Sequence, residues 1–95
     1  MNKLLVQSNK NIEYDKQKRF QTLLDRGLDF ARASEVFIDA ATIEDERGPY
    51  GEQRFISYGF LDDRLVVLVW TVRGAKRRII SMRKANEREI KKYIK

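Results

Sequence analysis

The chain has 95 residues, of which 42% are hydrophobic and 36% charged, with a net charge of +6. That size suits one small globular domain and leaves no room for a second core. Cysteine and histidine are both absent, which excludes disulfides and thiol catalysis, removes the usual general base and argues against a zinc site.

Residues 1–11 are polar apart from Leu4-Leu5-Val6 and show no periodicity. A flexible extension is expected there, with residues 12–95 as the single domain. Leu4-Leu5-Val6 is too short for a signal-peptide core or a membrane span, so a cytoplasmic protein with no membrane association is expected. Asp15 can cap a helix running to about Arg26, and Gly27 suits its left-handed end. Phe20, Leu23 and Leu24 share one face of it at helical spacing, which predicts packing. Asp29 then caps a second helix with Phe30, Ala33, Ser34 and Phe37 on one face.

A first strand is expected at Ala40 to Glu44, followed by a polar loop with the single proline, Pro49. Three antiparallel strands follow, at Glu52 to Phe60, Leu65 to Arg73 and Lys76 to Lys84. The middle one is apolar on both faces, as a central strand should be. Asp62-Asp63 and Gly74-Ala75 make the turns, the second with glycine first as a type II′ hairpin needs. Asn86 and Glu89 have capping-box spacing and open a final helix that packs through Ile90, Tyr93 and Ile94. The fold class is therefore α+β, with two N-terminal helices, an antiparallel sheet of three to four strands and a C-terminal helix.

Two-residue turns set a register. Arg73 falls opposite Lys76 and Glu52, and Thr71 opposite Arg78 and Arg54. One face then carries Ile56, Tyr58, Phe60, Leu65, Val67, Val69, Ile80 and Met82, and is expected to lie under the helices. Glu52, Arg54, Arg73, Lys76 and Arg78 sit at its far end. The other face mixes Phe55, Leu68, Trp70 and Ile79 with Arg77, Ser81 and Arg83. A one-residue bulge would change this arrangement.

Charge is uneven. Residues 73–95 hold ten basic and two acidic side chains, which suits a polyanion and equally suits a solvated basic face. Guanidinium groups pair with phosphate and an adjacent aromatic can stack a base, so RNA fits the strand arginines. A carboxylate at Glu52 could take the proton of a ribose 2′-hydroxyl while arginines stabilise the phosphorane-like transition state. Against this, Trp70 on a central strand fits core packing before base stacking. Glu52 opposite Arg73 fits an ion pair before a general base.

The chain also resembles the BrnT-type toxins of bacterial type II toxin–antitoxin systems, within the RelE-like ribonuclease group. The resemblance spans about residues 12–95. It rests on Tyr14-Asp15 with Lys18, on Gly27 to Phe30, and on Ala33, Val36, Phe37 and Asp39. Gly51, Glu52, Arg54 and Phe55 follow in order, then Thr71, Arg73 and Gly74, the run Arg78 to Ala85, and Tyr93. It implies a small toxin that cleaves RNA, is neutralised by a ribbon-helix-helix (BrnA-like) antitoxin and contacts operator DNA only through that antitoxin. On this reading cleavage needs no metal or other cofactor and inhibits translation. Arg54, Arg73, Arg78 and Arg83 bind phosphate, Glu52 is the candidate base and Tyr93 contributes. Trp70, Lys76, Arg77 and Lys84 are the further RNA-binding candidates. Where the family has Lys-His-Gly, this chain has Asp25-Arg26-Gly27, which leaves open a non-catalytic module that binds antitoxin and nucleic acid.

Overall fold

The computed structural model describes residues 11–94; the first ten residues of the expected extension lie outside them. The described chain is α+β. A five-stranded mixed sheet has the order β1-β5-β4-β3-β2, formed by β1 Ile12–Glu13, β2 Ala41–Asp45, β3 Arg54–Leu61, β4 Arg64–Arg73 and β5 Lys76–Lys84. Ile12-Glu13-Tyr14 reads as a short extended lead-in; the structure makes Ile12–Glu13 an edge strand that the expected antiparallel sheet did not include, running parallel to β5 through Ile12↔Arg77 and Glu13↔Arg78. The remaining pairings are antiparallel.

Both hairpin turns follow from their residues. Asp62 and Asp63 take φ of 52° and 63°, a left-handed pair that aspartate tolerates better than most side chains. Gly74 has φ 64°, with no positive φ at Ala75, which is the pattern of a turn with glycine first.

Helix α1, Lys16–Arg26, starts where Asp15 accepts from the Gln17 and Lys18 amides and stops at Gly27 with φ 70°. Its ends are as expected, but its packing is not. No residue of α1 is buried, and Phe20, Leu23 and Leu24 are exposed. Polar ties hold it instead. Arg19 makes a paired contact with Asp29 at 2.7 and 3.1 Å, and Arg26 Nη1 donates to the Met82 carbonyl at 2.9 Å.

The second expected helix is a 3₁₀ turn, Phe30–Arg32, followed by a single-turn α2, Ala33–Val36. Phe30, Ala33 and Val36 are fully buried. Their spacing of three is that of a 3₁₀ winding, whose three residues per turn align i and i+3. Helix α3, Glu87–Tyr93, begins with the expected capping box between Asn86 and Glu89.

The face beneath the N-terminal helical segments is the opposite of the one the alternation suggested. The core joins Ile12, Leu28, Phe30, Ala33 and Val36 to Leu61, Val66, Leu68, Trp70, Ile79 and Met82. The small residues explain the choice. A Cβ at Gly59 would collide with the carbonyl oxygen of Val36, so β3 must present glycine where α2 touches the sheet. Ser57, fully buried, accepts from the Trp70 indole at 2.8 Å and bonds Thr42 Oγ1 at 2.7 Å. Small residues here mark close approach rather than a solvent face.

A bulge alters β5 as well. Trp70 pairs with Ile79 and Val69 with Ser81, so Ile80 is the extra residue. Beyond it, Met82 turns into the core, and Ser81 and Arg83 turn to the second face. That face carries Arg54, Ile56 and Tyr58 on β3 and Val67, Val69, Thr71 and Arg73 on β4. Arg78, Ser81 and Arg83 complete it on β5.

Candidate active site

The bulge puts Arg54, Arg73, Arg78 and Arg83 on one face, where an unbroken register would have separated Arg83 from the rest. Glu52 lies just ahead of β3 rather than within it. It still reaches two cations, with Arg54 Nε donating to its Oε2 at 3.1 Å and Arg73 Nη2 lying 3.7 Å from its Oε1. Arg78, directly across Thr71 from Arg54, donates to Glu13 Oε2 at 3.1 Å. Thr71 is itself held by a 2.6 Å bond from its hydroxyl to the Gln53 carbonyl. Lys76 is exposed at the same hairpin end.

Arg83 and Tyr93 form a second group towards α3. Arg83 grips Glu89 with two bonds of 2.8 Å. That pairing holds the Glu89 carboxyl at about 2 and raises the Arg83 guanidinium above its usual range. Tyr93 stacks on Tyr58 with ring centroids 4.1 Å apart. Burial, then the neighbouring phenol of Tyr93, push the Tyr58 hydroxyl upward. Tyr58 is four residues from Arg54 along β3, or roughly 13 Å at strand rise. The expected catalytic set thus divides into two groups on a common surface, Glu52 with Arg54 and Arg73 at the hairpin end and Arg83 and Tyr93 towards α3.

Three of the further candidates sit elsewhere. Trp70 is 8% exposed, stacked on Phe55 at 4.8 Å and edge-on to Phe37 at 5.4 Å, so it offers no open ring to a base. Arg77 is exposed overall, but its guanidinium lies 4.2 Å over Phe37 and 5.1 Å from Trp70, on the side of the N-terminal helical segments. Lys84 lines a groove with Leu23, Leu28 and Arg64 at the opposite end of the sheet from the Gly74 turn. Arg26, where the histidine of the resembled family would stand, is spent on the Met82 carbonyl.

Several residues of this face escaped the sequence reading. Asp45 closes β2 directly opposite Arg54, and its side chain is 1% exposed. It accepts from Arg47 Nε at 2.7 Å and Nη2 at 2.6 Å, from the Arg47 amide at 3.1 Å and from the Tyr50 hydroxyl at 3.2 Å. These bonds, led by Arg47, hold its carboxyl far below the usual carboxylate range. The Tyr50 ring in turn lies 4.2 Å from the Arg54 guanidinium. The signal was the Asp-x-Arg spacing at a strand end, where an aspartate folds back onto the amide two residues on.

A groove of about 430 Å³ runs over this face. Ile56, Tyr58, Val67, Val69 and Ser81 lie along it, with Arg47 and Asp45 from one side and Arg83 and Glu89 from the other. Among the described residues no helix is long and apolar enough to cross a membrane, and no cluster of acidic side chains has the arrangement of a metal site.

The family model described as "Ribonuclease toxin, BrnT, of type II toxin-antitoxin system" matches residues 14–89. No curated protein and no solved structure matches the chain.

Proposed function

The chain belongs to the BrnT family of ribonuclease toxins of type II toxin–antitoxin systems, and from that premise we propose that it is an endoribonuclease working on the second face of the sheet. The observation that carries this reading is the pairing of Glu52 with Arg54 and Arg73 at the hairpin end, with Arg78 across Thr71 from Arg54 on the same face. Guanidinium forks there can hold the scissile phosphate and stabilise charge on its equatorial oxygens. Glu52 takes the proton from the ribose 2′-hydroxyl. The 2′-oxygen bonds to phosphorus, the bond to the 5′-oxygen breaks, and the products are a 2′,3′-cyclic phosphate and a 5′-hydroxyl. The 5′-oxygen takes its proton from water. No step requires a metal.

Arg83 and Tyr93 then contact the strand beyond the scissile phosphate. Lys76 adds long-range attraction at the hairpin end. The reading extends to the RelE-like arrangement of helices, antiparallel hairpins and C-terminal helix. It also includes a cytoplasmic site of action, inhibition of translation by loss of RNA, and neutralisation by a ribbon-helix-helix antitoxin.

The test is cleavage of single-stranded RNA by the purified protein in EDTA. Cleavage persists, and Arg78→Ala and Glu52→Gln each lower the rate about 100-fold or more. Equal rates in wild type and both variants would remove this site. Asp25-Arg26-Gly27, replacing the family's Lys-His-Gly, favours a second reading as a binding module without cleavage. Growth separates the two. Expression of the nuclease arrests growth until the antitoxin is supplied, whereas the binding module alone leaves growth unchanged.

A further inference from the structure

A ribonuclease must hold the RNA on both sides of the bond it cuts, and the residues around Glu52 are assigned above to the scissile phosphate. We infer that Arg47 and Arg83 together bind a flanking phosphate of the RNA, with Asp45 as the positioning residue that fixes Arg47. The inference rests on the ribonuclease reading above and adds a subsite to it.

Arg47 and Arg83 line the same groove from opposite sides, with Ser81 and Val69 also along it. A phosphate lying between them would accept guanidinium N–H groups from both sides of the groove. Each is also held in place. Asp45 takes Nε and Nη2 of Arg47, which leaves Nη1 to face outward. Glu89 takes both terminal nitrogens of Arg83, which leaves Nε.

The asymmetry of the first pair is informative. Asp45 is 1% exposed while the Arg47 side chain it holds is 67% exposed. Burying a carboxylate is costly unless it is paired, and here its partner is a cation whose free end points into solvent. Side-chain ordering has been completed before a ligand arrives, which lowers the entropy lost on binding. Glu44 and Glu46 also line the groove, so it is no general trap for polyanions, and the two guanidiniums are discrete contact points. Asp45 also accepts from Tyr50, whose ring lies against Arg54, so one network spans both sites.

The experiment measures binding of a fluorescein-labelled single-stranded RNA carrying 2′-O-methyl groups, which cannot be cleaved by 2′-attack, at several salt concentrations. Cleavage of the unmodified RNA is measured in parallel. Arg47→Gln weakens binding about tenfold and reduces the slope of log affinity against log salt by about 0.7, the loss of one phosphate contact on a single strand. Its KM rises while kcat is largely kept, whereas Glu52→Gln lowers kcat. Arg64→Gln, which removes the same charge away from this face, leaves the slope unchanged.

Arg47→Lys keeps the charge but not the fork held by Asp45, so it keeps the slope and still raises KM. Asp45→Asn raises KM in the same way. Equal slopes for wild type and Arg47→Gln, or an equal fall with Arg64→Gln, would overturn the phosphate subsite while leaving the nuclease reading intact. Wild-type KM in Arg47→Lys and Asp45→Asn would overturn the positioning role of Asp45. Wild-type protein that binds the RNA with the expected slopes yet cleaves nothing would instead defeat the nuclease reading alone.

Discussion

At the scale of single residues, the structure turns on a few positions where size or burial matters more than charge. Gly59 is one, because the Val36 carbonyl occupies the space a side chain would need. Gly59→Ala should therefore push α2 off the sheet and destabilise the protein by about 1–3 kcal/mol, read as a lowered midpoint in urea. An unchanged midpoint would mean that α2 does not touch the sheet there. Gly59 and Ser57 also show why a sequence pattern can name the wrong face. Alternation made Ile56, Tyr58 and Phe60 look like the buried set. The face that the N-terminal helical segments bury carries glycine and serine because the opposing backbone and the Trp70 indole come so close. Asp45 was equally hard to see. A loop rich in Asp, Glu and Arg reads as solvated, and only the fold shows that one of those carboxylates is buried and carries Arg47.

At the scale of elements, caps and turns were legible and packing was not. Asp15, Gly27, Gly74 and the Asn86–Glu89 box act within a few residues of themselves, so local chemistry is enough to find them. The β-bulge at Ile80 depends on how β4 and β5 meet, and nothing in Arg-Ile-Ile-Ser marks it. The last helix combines both kinds of information. Glu89 closes the capping box and also clamps Arg83. Its folded-state carboxyl, at about 2, lies below its ordinary value of 4.5. A carboxyl lowered by folding adds stability above the ordinary value, and that stability is lost as pH falls towards the folded one. Wild type should thus lose its advantage over Glu89→Gln between about pH 4.5 and 2, seen as converging melting temperatures. Parallel curves across that window would show that the pair contributes nothing.

At the scale of the whole molecule, the two faces of the sheet do different work, and substitutions should separate them. Trp70→Leu removes a buried ring and the indole donor to Ser57, so it should cost about 2–4 kcal/mol. RNA affinity of the folded fraction should stay the same. Arg54→Gln should do the reverse, leaving the urea midpoint nearly unchanged and weakening RNA binding. A Trp70 variant that is stable but defective in RNA binding would contradict the assignment of faces.

The α+β class, the hairpins, the excess of arginine near the C-terminal end and the family resemblance all came from the chain alone, because they depend on local propensity, turn chemistry and residue order. The side of the sheet that the N-terminal helical segments cover, the turn of Arg83 to the face of Arg54 and Arg78, and the different partners of Glu52 and Tyr93 were decided only by tertiary structure. Each depends on contacts between residues far apart in sequence, and a one-residue bulge is enough to change which side of a strand they face.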